Sequence, residues 1–139
     1  MARVVAVVPD LLFGSHVQGA LEPAGHEVVL AGSEAVARAA LANGADVLVV
    51  DLAADECDGA ALVRALRAEG TLGAARTLGF YPHVEVPARE RGLTAGLDLV
   101  VPRSRMRREA AALVERLLAE RGTMTDDGPG SRPPAQGGR

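Results

Sequence analysis

The sequence contains no tryptophan, one tyrosine (Tyr81) and two phenylalanines (Phe13 and Phe80). Any core built from it must be aliphatic, drawn from the alanine, valine and leucine that dominate its 48% apolar content. It contains one cysteine, Cys57, which excludes an internal disulfide and a cysteine metal cluster. It has no lysine: all 15 Lys/Arg positions are arginine, against 18 acidic residues, for a formal charge of −3. That balance leaves no basic footprint for nucleic acid. No apolar run approaches the roughly 20 residues of a membrane-spanning helix. The opening apolar stretch breaks at Pro9-Asp10, too soon for a secretory leader. These absences make a soluble, cytoplasmic protein the expectation. A length of 139 residues leaves room for one domain.

What is present is an alternation of short apolar runs with amphipathic stretches. Arg3 to Val8 is β-branched and apolar, a first strand closed by Pro9, which removes a ladder donor. Phe13, Val17, Ala20, Leu21 and Ala24 recur at helical spacing, with Gly25 as C-cap. Glu27 to Leu30 is a second strand. Ser33 suits the N-cap of a second helix carrying Val36, Ala39, Ala40 and Leu41 and ended by Asn43-Gly44. Val47 to Val50 lacks polar alternation, as expected of a strand buried on both faces, and it ends in Asp51. A third helix starts near Asp58-Gly59, with Leu62, Val63 and Leu66 on one face and Gly70 after it.

The second half is weaker in pattern. Thr77 to Phe80 predicts a fourth strand, weakened by Gly79, with Tyr81-Pro82-His83 as a loop. Pro87 suits the first turn of a fourth helix, poor in large apolar residues and closed by Gly96. Leu99 to Val101 is a fifth strand, stopped by Pro102. Ser104 is positioned to cap a fifth helix with Met106, Ala110, Leu113 and Leu117 as its stripe. A domain of residues 1–121 is therefore expected, followed over 122–139 by a disordered tail rich in glycine, proline and charge.

Five strands alternating with five helices require a parallel sheet covered on both faces through right-handed crossovers. At this length the expected fold is the flavodoxin-like (βα)5 doubly wound sheet, strand order 2-1-3-4-5. Function in such a sheet lies outside the carboxyl ends of the strands, at the switch point between strands one and three. Asp10 and Asp51 both fall there. Each reads either as a pocket carboxylate or as a turn and helix-start residue. Arg103 reads as a pocket cation or a surface residue. Tyr81 and His83 are loop residues or catalytic candidates, and Cys57 has no basic neighbour in sequence to make it a thiolate. The run Arg103, Arg105, Arg107 and Arg108 opens a helix whose dipole favours acidic residues at that end. It is a solvated face, or a surface for an anionic ligand or acidic partner.

Asp51-Leu52 followed by Asp58-Gly59, the helix Leu62-Val63-Arg64-Ala65-Leu66-Arg67, and Gly96-Leu97-Asp98 before the fifth strand together carry a resemblance. Over roughly residues 3 to 121 the sequence resembles the receiver domains of two-component response regulators. The resemblance implies a stand-alone signalling module rather than an enzyme, phosphorylated on Asp51 in a phosphorelay. It implies Mg²⁺ held by Asp10 and Asp51, Arg103 as charge stabiliser in place of the receiver lysine, and Tyr81 near the hydroxyl switch position. It implies a histidine kinase or other signalling protein as partner, without nucleic acid or membrane. Output or a homodimer contact would use the face of helix four, strand five and helix five, carrying Arg89, Arg91, Arg103 and Arg107.

The departures define the rival reading. The receiver Met-Pro pair is replaced by Ala54-Asp55, and one acidic residue, Asp10, stands where receivers carry two. A phosphorylation-independent pseudo-receiver that binds a partner is therefore the alternative. A cobalamin-type small-ligand domain is a more distant one. There His16 and Gly19 match the spacing of an Asp-x-His-x-x-Gly loop, but Gly14 replaces the orienting acid.

Overall fold

The computed structural model describes residues 2–127, with side chains through residue 120. The strands are β1 (Arg3–Val7), β2 (Glu27–Ala31), β3 (Val47–Asp51), β4 (Arg76–Tyr81) and β5 (Leu99–Pro102). The helices are α1 (Leu11–Leu21), α2 (Glu34–Leu41), α3 (Gly59–Glu69), α4 (Val86–Thr94) and α5 (Arg103–Asp127). All five strands pair in parallel in the order β2-β1-β3-β4-β5, the flavodoxin-like doubly wound sheet expected from the alternation. The tail expected over 122–139 lies outside the described residues from residue 128 onward.

Period-two alternation divides the core into two layers. Val5, Val7, Leu48 and Val50 face one side, packed with α2, α3 and α4 residues such as Leu41, Leu66 and Ala88. Val4, Ala6, Val47, Val49, Leu78 and Phe80 face the other, against α1 and α5 residues such as Val17, Leu21, Met106 and Leu113. The sheet is thus apolar on both faces, which is why β3 reads as a continuous apolar run.

The helix ends follow the polar signals. Asp10, Ser33 and Asp58 cap α1, α2 and α3, accepting from the N–H groups of Phe13, Val36 and Ala61. Gly25 closes the turn after α1 at φ +97°, with His26 N–H donating to Leu21 and Gly25 N–H to Glu22. This pattern satisfies carbonyls the helix leaves open.

Four expectations are corrected. Val36 and Ala39 are exposed and Ala37 is buried instead, because the face α2 turns to the sheet is Ala37, Ala40 and Leu41. Tyr81 belongs to β4 and pairs with Pro102, since its ring gains a buried place among the α2–α4 side chains. Ser104 lies inside α5, which begins one residue earlier at Arg103, so it is not the N-cap. Gly79 does not weaken β4; a Cβ there would lie 2.5 Å from Leu97 Cδ2 and 2.8 Å from Leu52 Cδ1, so the glycine admits two core side chains.

Candidate functional site

The parallel sheet places Asp10 just beyond β1, Asp51 at the end of β3 and Arg103 just beyond β5. All three line one open cleft of about 240 Å³ at the carboxyl edge, together with Ala53, Ala54, Asp55, Glu56 and Pro82. Four carboxylates face one guanidinium there, so the lining favours a cation.

Arg103 links the two aspartates. Its Nη2 donates to Asp10 Oδ2 at 2.7 Å, and its Nη1 lies 3.9 Å from Asp51 Oδ2. The guanidinium carbon sits 4.1 Å from the Phe13 ring centroid and 5.9 Å from that of Phe80. The two rings are themselves 4.8 Å apart. A guanidinium seated over an aromatic ring loses little further side-chain freedom when it also binds a carboxylate. Phe13 and Phe80, which composition marks only as rare core residues, are what hold Arg103 in the cleft.

The two carboxylates differ in environment. Asp51 is 5% exposed, and its Oδ1 accepts from Ala53 N–H at 2.9 Å. Burial raises its pKa above the ordinary carboxylate range, against the opposing pull of the Ala53 N–H and Arg103. Asp10 is exposed and caps α1, and its pKa is lowered by the Phe13 N–H and then by Arg103. One site therefore holds a carboxylate that is costly to ionise beside one that ionises easily.

Among the described residues no group of three or more His, Cys, Asp or Glu side chains is gathered as metal ligands. Mg²⁺, however, is commonly held by one or two carboxylates and keeps several waters. Asp10 and Asp51 on one acidic cleft fit that habit, with Arg103 as their competing intramolecular cation.

Strand parity decides the remaining candidates. Phe80 pairs with Asp51 and shares its face, so Tyr81, one residue on, points to the opposite layer. Tyr81 is buried among aliphatic side chains and does not line the cleft. The wall position falls to Pro82, which has no hydroxyl. His83 is exposed on the following loop. His16 lies on α1 with its Nε2 3.0 Å from the Arg107 carbonyl, and it lines a groove with Leu12, Phe13 and Arg107. Cys57 is buried, and burial raises the pKa of its thiol, with Glu34, Asp58 and Asp51 adding to the effect.

The four arginines expected on one face separate. Arg89 pairs with Glu90 on α4, and Arg91 donates to the Leu52 carbonyl. Arg103 turns into the cleft, and Arg107 faces the α1 side. Arg105 and Arg108 share Glu109, where α5 departs from helical geometry at φ −128°, ψ 22°.

No protein-family model matches the sequence, and neither does any curated protein. Solved structures do match. A Francisella response-regulator receiver domain aligns with 86% of this chain and 98% of its own, at 20% identity and TM-score 0.73. The Vibrio cholerae chemotaxis response regulator CheY4 aligns with 84% and 98%, at 21% identity and TM-score 0.73. Brucella abortus NtrX aligns over 90% of this chain but 28% of its own, at 17% identity and TM-score 0.78. At these identities the likeness establishes the fold. Among the described residues no helix is long and apolar enough to cross a membrane.

Proposed function

Proceeding from a fold shared with response-regulator receiver domains, we propose that this chain is a receiver-like signalling domain phosphorylated on Asp51. The observation that carries the reading is the convergence of Asp10, Asp51 and Arg103 on one acidic cleft at the carboxyl edge of the sheet. A phosphoryl group moving to a carboxylate brings negative charge to negative charge, so the reaction depends on positioned positive charge. Asp51 is the acceptor, its Oδ1 fixed by Ala53 N–H and its Oδ2 turned toward Arg103. Asp10 and Asp51 hold Mg²⁺. When bound, the ion neutralises charge on the transferring group. Arg103 supplies the fixed cation, seated over the Phe13 ring. The partner is a histidine kinase or another signalling protein. The exposed Val86 and Leu93 of α4 support the face of α4, β5 and α5 as a contact for a partner or a second copy.

A second reading is favoured by a specific observation. Arg103 already occupies Asp10 at 2.7 Å, and Pro82 leaves the cleft wall without a hydroxyl. Both features suit a module that binds its partner without phosphorylation. Incubation of the full chain with Mg²⁺ and acetyl phosphate separates the two readings. The first predicts one added phosphoryl group by intact mass, absent in Asp51→Asn. No added mass in a chain that circular dichroism reports as folded overturns it in favour of the second.

A further inference from the structure

Around Asp51 the chain is packed through glycines. A Cβ on Gly59, the first residue of α3, would lie 2.6 Å from the Asp51 carbonyl oxygen. A Cβ on Gly92, in α4, would lie 2.6 Å from Leu52 Cδ1, and one on Gly79, in β4, would lie 2.8 Å from the same methyl. The Leu52 side chain therefore fills a notch made by two glycines, one on the sheet and one on α4. It is 3% exposed. Its backbone is held as well: Leu52 N–H donates to the Phe80 carbonyl at 2.9 Å, and Arg91 Nη2 donates to the Leu52 carbonyl at 3.3 Å.

The helix on the other side of this contact has few other holds. Ala88 and Gly92 are its buried residues, and its N-cap position, Glu85, makes no side-chain capping bond. A helix that buries so little apolar surface sits at the low-stability end of a domain. Leu52 and Arg91, with Val100 of β5, whose Cγ2 would lie 3.2 Å from a Gly92 Cβ, are among the contacts that seat α4. At the end of β4 neither Tyr81, which points to the opposite layer, nor Pro82, which has no hydroxyl, brings a hydroxyl to the cleft.

We infer that Leu52 is a positioning residue that transmits the state of Asp51 to α4, with Arg91 as its clasp. The inference rests on the reading of Asp51 as the place where the signal arrives. A change in charge or occupancy at Asp51 shifts the loop that begins with Leu52. The Leu52 methyls turn that shift into a displacement of α4, because Gly92 leaves no slack between them. The outward residues of α4, including Arg89, Glu90 and Leu93, then carry it to a partner.

Hydrogen exchange read by mass spectrometry on the full chain tests this without requiring phosphorylation. Asp51→Asn removes the charge directly, and it is expected to change the exchange of the 86–94 amides by about threefold or more. In a Leu52→Ala background that response is lost, while the start of α1, which Asp51 reaches through Arg103 and Asp10, still responds. Leu52→Ala also leaves a core cavity, so Arg91→Met, at an exposed side chain, is the second arm, and the same loss is expected there. A purely structural role for Leu52 would loosen α4 equally whatever stands at position 51. An α4 response to Asp51→Asn that is equal in all backgrounds, or absent from the otherwise unaltered chain, overturns the inference. Acetyl phosphate labelling of the same samples reads the phosphoacceptor assignment separately, so either can fail alone.

Discussion

Gly59→Ala tests whether the Asp58-Gly59 pair is there for helix chemistry or for the approach of α3 to Asp51. In an ordinary helical position alanine is favoured over glycine by about 0.5–1 kcal/mol, because glycine loses more backbone freedom on folding. Gly19, inside α1, has no neighbour within 4 Å of a built Cβ, so Gly19→Ala is expected to stabilise the fold by about that amount. At Gly59 the built Cβ meets the Asp51 carbonyl oxygen at 2.6 Å and Val50 Cβ at 3.1 Å. The nearest atom is backbone of the central strand and cannot swing aside, unlike the end of a flexible side chain. Contact with unyielding backbone puts this at the upper end of what overpacking costs, about 2–3 kcal/mol, which exceeds the propensity gain and leaves a net loss of roughly 1–2.5 kcal/mol. With a urea slope near 2 kcal/mol per M, the midpoint falls by about 0.5–1.25 M. Urea unfolding of both variants beside the parent chain is the assay. A Gly59→Ala midpoint at or above that of the parent, or a shift in the same direction as Gly19→Ala, would refute the packing argument.

Three further predictions concern other parts of the account. Thr77 is fully buried and shares Asp98 Oδ2 between its N–H at 2.8 Å and its hydroxyl at 3.0 Å, so Thr77→Val, which removes the hydroxyl contact, is expected to cost about 1–3 kcal/mol in denaturant unfolding; an unchanged midpoint would contradict it. Asp51 has its folded pKa raised above the ordinary 3.8 by burial, so its contribution to stability is full below that value and is lost as pH rises through the folded pKa. Asp51→Asn is therefore expected to be more stable than the parent at neutral pH, with the gap closing toward acid; thermal unfolding across pH 3 to 7 checks this, and a gap that widens in acid refutes it. Arg103→Lys exchanges a planar fork bound to Asp10 for a compact ammonium, which loosens the intramolecular competitor. The initial rate of acetyl phosphate labelling is expected to rise, and a fall would show that the stacked guanidinium is itself required.

The fold was legible because its signals agree. β-branched runs, polar caps at Asp10, Ser33 and Asp58, and glycines after the helices all point to the same five βα units. The convergence of Asp10 and Asp51 followed from topology, since the 2-1-3-4-5 order makes strands one and three neighbours. Tyr81 shows where this reading stops. A hydroxyl near the end of the fourth strand was visible, but its face depends on the register of β4 against β3, and one residue of register reverses it. The hold on Arg103 was equally hidden, because nothing in the spacing of Phe13, Phe80 and Arg103 shows that the guanidinium sits over the Phe13 ring. Gly79 read as a strand breaker, and nothing in the spacing of Leu52, Gly79 and Gly92 shows that they meet. Their shared notch exists only in three dimensions.

The cleft built by Asp10, Asp51 and Arg103 is proposed to accept a phosphoryl group on Asp51. The most direct measurement is peptide mapping after Mg²⁺ and acetyl phosphate treatment, with borohydride reduction to trap the acyl phosphate. One reduced carboxyl is expected, at Asp51, and none when Mg²⁺ is chelated. A trapped carboxyl at another residue, or none in the folded chain, would contradict it.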